Sequence, residues 1–299
     1  MIIKTANFIK AEKFLSDIIA KNGFGAVIAD KGSGKTFIKR KVIGAYQERK
    51  NDYTVVEITS IEEDWKGTAA LMRAMIADIS GENARRDIES RRRQLRRILG
   101  DASSRTKVIL AIDEAQDLHA SSLRGIKKLH EIGFGMRDKL FSIVLFGQHS
   151  LKDKISDDEL RPRIRRCMLG DLTKTEKPKF IENPDMFESG AMELFLRRTK
   201  NTPATIINAY EELCDLADDI GQRKISTELI KNYFSMSARD VIKESNMSLR
   251  ALSADIEKHT GKNISPTTLS QISNGSYPGN MENLESILHE YSSKTAKAV

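Results

Sequence analysis

The stretch Phe24 to Thr36, FGAVIADKGSGKT, constrains the chain more than any other. Phe24, Ala26, Val27, Ile28 and Ala29 make an apolar run of strand length, a glycine-rich turn follows, and Lys35-Thr36 open a helical segment toward Arg49. A buried strand that turns through glycines into a helix points successive backbone N–H groups, here from Lys31, Gly32, Ser33, Gly34, Lys35 and Thr36, at one spot. That spot is also the positive end of the helix dipole, so it suits the phosphates of a nucleotide. In such a loop Lys35 reaches the β- and γ-phosphates and the Thr36 hydroxyl holds Mg²⁺. Loops of this kind usually start with Gly, and Ala29 stands in that place. Gly32 and Gly34, where backbone and phosphate come closest, are present. The expected ligands are ATP and Mg²⁺.

Around this loop, strand and helix patterns alternate. Ala6 to Lys21 reads as a helix through Phe8, Phe14, Leu15, Ile18 and Ile19, and Tyr53 to Thr59 as a second strand. Glu62 to Ile79 has helical spacing through Trp65, Leu71, Met72, Met75, Ile76 and Ile79. Residues 84 to 99 carry seven arginines, with Ile88, Leu95, Ile98 and Leu99 as the docking stripe of an amphipathic helix. The arginines are either a solvated face or a contact for a phosphate backbone or another subunit. The alternation predicts an α/β fold, a parallel sheet with helices on both faces.

Lys107 to Gln116, KVILAIDEAQ, supplies the second half of the chemistry. Val108 to Ile112 is a central strand, and Asp113-Glu114 fall at its carboxyl end, where sheets of this kind place their sites. Asp113 is the expected second holder of Mg²⁺, through its water shell, and Glu114 the group that orients or deprotonates the attacking water. Phe141 to Gly147 is a fourth strand ending at Gln148, a candidate sensor of the γ-phosphate. Leu160 to Arg166 holds four arginines ahead of a fifth strand at Cys167 to Leu169, and one of them, Arg163, is a candidate to act on a neighbouring subunit's nucleotide.

From Leu172 to Phe234 the strand pattern stops and apolar residues at helical spacing predict a small all-α lid. Ser248 to Thr260 and Ser265 to Ser273 then read as two helices joined by a turn, the second with Ser265 at its N-cap and Pro266 in its first turn. The outline is a helix-turn-helix. If it reads DNA, Thr267, Thr268, Ser270 and Gln271 face the major groove; if not, it is a small protein-binding bundle. The expected domains are 1–172, 173–235 and 236–299.

Composition narrows the partners. The formal charge is +7, yet residues 236 to 299 hold seven Lys/Arg against seven Asp/Glu, so the excess lies upstream. A nucleic-acid partner is therefore expected to meet the body of the chain, with Lys127 and Lys128 on the helix after Asp113-Glu114 as candidate backbone contacts. No apolar run approaches the ~20 residues of a membrane span, which points to a cytoplasmic protein with no membrane partner. Cys167 and Cys214 lack ligand-like spacing and read as free thiols.

With GSGKT at Gly32 to Thr36, DEAQ at Asp113 to Gln116, FGQHSL at Phe146 to Leu151 and LRPRI at Leu160 to Ile164, the chain resembles AAA+ P-loop ATPases. Within them it resembles the DNA-transposition ATPases related to the phage Mu B protein and TnsC. The words TLSQISNGSYPGN, Thr268 to Asn280, resemble the helix-turn-helix domain of the Mu protein, placed here at the other end. The resemblance implies that Gln148 is the first sensor and Arg163 the trans-acting arginine. A lid motif resembling Gly-x-Pro-Arg stands here as Asn201 to Ala204, with Ala204 where the second sensor arginine would be. It further implies slow turnover, self-assembly on double-stranded DNA in rings or helical filaments, and a transposase as partner. Two other functions are open: an ATP-gated helix-turn-helix transcriptional regulator, and a secretion-type or helicase-loader ATPase.

Overall fold

Five parallel strands order the larger part of the molecule. The computed structural model describes residues 3–59 and 67–234, and beyond them 242, 245, 247–274, 276–277, 284, 287–288 and 291. Expectations for Glu62, Trp65 and the end of the Thr268 to Asn280 stretch (275 and 278–280) lie outside the described residues. The chain divides into two compact units, Met1–Pro184 with Thr199–Glu212, and Asp185–Arg198 with Leu213–Val299.

In the first unit the order of elements is α1 (Ala6–Ala20), β1 (Phe24–Ile28), α2 (Lys35–Glu48), β2 (Tyr53–Thr59), α3 (Thr68–Ser80), α4 (Ile88–Arg105), β3 (Lys107–Asp113), α5 (Ala120–His130), β4 (Phe141–Gly147), α6 (His149–Lys154) and β5 (Arg165–Met168). The sheet order is β2-β3-β4-β1-β5, with every pairing parallel. Because the inner strands β1, β3 and β4 are buried on both faces, alternate residues feed two separate clusters. Val108, Leu110 and Ile112 of β3 pack with α3, α4 and α5, while Ile109 and Ala111 pack on the side of α1 and α2. Each buried Val, Leu or Ile among these contributes about 1.5–3 kcal/mol by leaving water.

The register sets the site. Ile28 pairs with Gly147 and Ile112 with Leu145, so the carboxyl ends of β1, β4 and β3 stand side by side. The fifth strand spans Arg165–Met168 rather than Cys167 to Leu169. The arginine-rich helix begins at Ile88 with Asp87 as its cap, whose side chain accepts from Ser90 N at 2.8 Å. Leu95, Ile98 and Leu99 are buried as expected, but Ile88 is 51% exposed. Residues 82–86 fold back along the helix instead, where buried Arg91 and Gln94 bind their backbone.

The second unit is helical. It contains α7 (Ala191–Arg198), the end of α8 (Pro203–Asp219), α9 (Thr227–Tyr233), α10 (Leu249–Thr260) and α11 (Pro266–Asn274). Phe187, Phe195 and Phe234 stack in tilted pairs. Ser248 caps α10 through the Ala251 N–H, Gly261 closes it in the left-handed conformation (φ 70°), and the Ser265 hydroxyl accepts from Thr268 N at 3.1 Å. Leu252, Ile256, Leu269 and Ile272 share a core with Ile242, Ile287, Leu288 and Tyr291.

Candidate active site

The loop after β1 takes a conformation that needs its glycines. Gly32 has φ 80° and Gly34 φ 89°, backbone states that side chains with a Cβ rarely adopt. Gly34 leads directly into α2, so the N–H groups of the first turn have no intrahelical partners and face the loop. Ser33 Oγ is buried without a hydrogen-bond partner. A buried hydroxyl left unsatisfied inside a ring of N–H donors fits a phosphate. Lys35 is folded onto the loop, donating to Ala29 O at 2.7 Å and Asp30 O at 2.9 Å. Burial pushes its ammonium below the usual lysine range, against the pull of Glu114, Asp113 and Asp30.

One cleft of about 540 Å³ brings together Lys31 to Thr36, Glu114 and Gln148. Glu114 holds its place at a backbone cost: φ 49° and ψ 38° put a non-glycine residue in the left-handed region immediately after β3. A residue without an assigned role ties the group together. Gln116 donates from Nε2 to Glu114 Oε2 at 2.6 Å, while its Oε1 accepts the Gln148 N–H at 3.1 Å. The motif DEAQ contains this residue, and only the fold shows what its amide spans.

Asp113 does not line the cleft. Its Oδ2 lies 2.8 Å from Lys39 Nζ, which also lies 2.6 Å from Glu57 Oε1, and its Oδ1 accepts the Glu114 N–H at 3.0 Å. Burial pushes the Lys39 ammonium down, but its hydrogen bonds to Asp113 and Glu57 outweigh that and leave its pKa raised. Of the two residues expected to hold Mg²⁺, Thr36 lines the cleft, while both carboxylate oxygens of Asp113 are engaged by Lys39 and the Glu114 N–H. Among the described residues no cluster of three or more His, Cys, Asp or Glu could hold a metal ion by itself.

Apolar residues complete the cleft, among them Ile3, Phe8, Phe37, Phe180 and Ile207. Phe8 and Phe37 are in tilted contact, 6.2 Å between ring centres. Ala204 donates its N–H to Gly32 O at 3.1 Å, and a Cβ added at Gly32 would lie 3.1 Å from the Ala204 methyl group, so the place expected to carry a lid arginine sets a methyl group against the loop. Arg163 lies elsewhere, in a second cleft of about 570 Å³, with its side chain 62% exposed and 3.8 Å from Glu131 Oε1. Lys127 lies 3.3 Å from Glu131 and 3.4 Å from Glu159, whereas Lys128 is exposed. On α11, Thr267 is exposed, and Thr268, Ser270 and Gln271 are half-buried.

Residues 19–155 match a family model described as an AAA domain. The chain therefore carries an AAA-type P-loop ATPase domain, an enzyme that uses ATP with Mg²⁺. No curated protein matches the sequence. Among solved structures, Cdc6p from Pyrobaculum aerophilum is 16% identical, with a TM-score of 0.57 over 96% of this chain and 84% of that one. The ORC2 protein of Aeropyrum pernix in its ADPNP-ADP complexes is 14% identical, with a TM-score of 0.54 over 95% and 85%. The ORC1 protein of the same organism in complex with DNA is 10% identical, with a TM-score of 0.54 over 99% and 95%. At these identities the likeness is one of fold. No helix among the described residues is long and apolar enough to cross a membrane.

Proposed function

We propose that the chain is an ATP-dependent, largely sequence-independent DNA-binding ATPase that assembles on duplex DNA, with ATP acting as a clasp between subunits. The observation that supports this best is the division of the site. The phosphate loop, Glu114 and Gln148 share one cleft, while Arg163 stands exposed in another, as an arginine that acts on a second copy's nucleotide would. The absence of a cation at Ala204 fits slow turnover. Mg²⁺, when bound, screens the phosphate charge and polarises the bond to be broken. Within the cleft the backbone N–H groups of Gly32 to Thr36 hold the phosphates, Lys35 swings from its carbonyl contacts to them, and Glu114, braced by Gln116, takes a proton from the attacking water.

The DNA partner is supported by the +7 charge and by a structural neighbour, the ORC1 protein, described in complex with DNA. Delivery of target DNA to a transposase is the setting that the resemblance to the DNA-transposition ATPases, including the stretch from Thr268, favours. In this reading α10 and α11 act as a helix-turn-helix with an accessory role. Binding to labelled duplexes of unrelated sequence, followed by fluorescence anisotropy with and without ATP, tests the proposal. Tight, salt-sensitive binding should require ATP and vanish in Lys35→Ala; nucleotide-independent binding to one defined site would overturn it.

A further inference from the structure

The arginine-rich segment is built in a way that a merely solvated face does not need. Arg85 and Arg86 precede α4, and Arg92, Arg93 and Arg96 lie on its outer side; all five are exposed. The segment before the helix is not a loose tail. Buried Arg91 donates to Arg85 O at 2.9 Å and Arg86 O at 2.8 Å, and Gln94 accepts the Arg85 N–H at 2.9 Å while donating to Asn83 O at 3.0 Å. Two side chains on the inner face of the helix thus fix where the first two outer arginines stand.

A hairpin between α5 and β4 extends the row. Phe134 and Arg137 exchange backbone hydrogen bonds at 2.9 and 3.2 Å around Gly135 (φ 60°), with Met136 fully exposed at the tip. Arg137 donates to Ser103 Oγ and Gly100 O, both at 3.1 Å, and Arg96 donates to Gly133 O at 2.7 Å, so hairpin and helix hold each other. Gly100 admits this contact, since a Cβ there would lie 2.4 Å from the Phe134 ring. The nearby acids are already engaged: Glu82 and Asp101 with Arg97, Glu89 with Arg93. Arg85, Arg86 and Arg92 have no carboxylate within ion-pair distance among the described residues.

We infer that this ridge, formed by Arg85, Arg86, Arg92, Arg96 and Arg137, is the surface that holds the phosphate backbone of duplex DNA. The inference rests on the DNA-binding reading above and supplies its surface. The backbone that carries Arg85 and Arg86 is fixed before any partner arrives, and guanidinium contacts to phosphates carry no sequence information, which suits binding without sequence preference. Lys127, by contrast, has its ammonium between two carboxylates and only 15% of its side chain exposed.

The test uses the full chain with ATP, labelled duplexes of unrelated sequence and a salt series. Arg85→Ala/Arg86→Ala/Arg92→Ala should weaken binding tenfold or more and lower the slope of log K against log salt by about 2–3, near 0.9 per lost phosphate contact. ATP turnover without DNA and the unfolding midpoint should stay at wild-type values, and the corresponding triple Lys variant should restore most of the affinity. If the wild type binds duplexes and the triple Ala variant binds equally well with the same slope, the ridge is overturned and the DNA-binding reading stands. If the wild type binds no duplex, both fall. If the variant instead loses ATP-driven self-association in the absence of DNA, the ridge is a subunit contact and the inference is overturned.

Discussion

Gln116 donates its side-chain amide hydrogen to Glu114 Oε2 at 2.6 Å. The same amide receives the Gln148 N–H, so the group proposed to handle the attacking water and the group proposed to sense the γ-phosphate share one support. Gln116→Leu keeps the volume and removes both bonds. We expect kcat for ATP to fall roughly 10–100-fold, the usual effect of loosening a supporting contact, with nucleotide affinity within about twofold. Steady-state kinetics beside nucleotide titration separate the two; an unchanged kcat would remove Gln116 from this role.

Lys39 joins Asp113 and Glu57 in a largely buried cluster. Lys39→Met leaves Asp113 uncompensated, and breaking such a pair costs about 3 kcal/mol or more. Denaturant unfolding should show the loss, and adding Asp113→Asn should recover part of it. A change under about 0.5 kcal/mol, the scale of ordinary surface substitutions, would show that the cluster does not hold the strands to α2.

Gly125 on α5 faces Thr68 at the start of α3. A Cβ at position 125 would lie 2.0 Å from Thr68 Oγ1. Gly125→Ala should therefore destabilise by about 1–3 kcal/mol through overpacking, and Thr68→Ala in the same chain should return most of it. Additive effects of the two substitutions in thermal unfolding would contradict the contact.

In the second unit the Tyr291 hydroxyl donates to Asp255 Oδ2 at 2.6 Å. Burial first, and then this bond, push the phenol up to about 12. A raised folded pKa favours the protonated form, so the contribution to stability is complete below the unfolded value of about 10 and is lost as pH rises toward about 12. Ultraviolet titration of the tyrosines should show one late-ionising group that disappears in Tyr291→Phe; identical curves for both proteins would contradict it.

The sheet was legible because parallel strands buried on both faces must be nearly all apolar, as 108–112 and 141–147 are. The phosphate loop was legible because its glycines and Lys35-Thr36 are close in sequence. What escaped reading depends on distant partners. Lys39 looks like any helix-surface lysine until β2 brings Glu57 and β3 brings Asp113 to it. Ile88 reads as a docking residue and Arg91 as a solvated one, yet their roles are exchanged, because residues 82–86 fold back on the helix through hydrogen bonds that periodicity does not carry. Arg137 joins the arginine row only through a hairpin that the sequence leaves between two elements.

In the proposed function it is the binding of ATP, and not its consumption, that assembles the protein on DNA. The most direct measurement is the lifetime of the protein on duplex DNA for Glu114→Gln and Lys35→Ala, each supplied with ATP. The account predicts that Glu114→Gln binds ATP, hydrolyses it at least tenfold more slowly and stays on DNA far longer than the wild type, while Lys35→Ala fails to assemble. Equal lifetimes for wild type and Glu114→Gln, or assembly by Lys35→Ala without bound nucleotide, would contradict it.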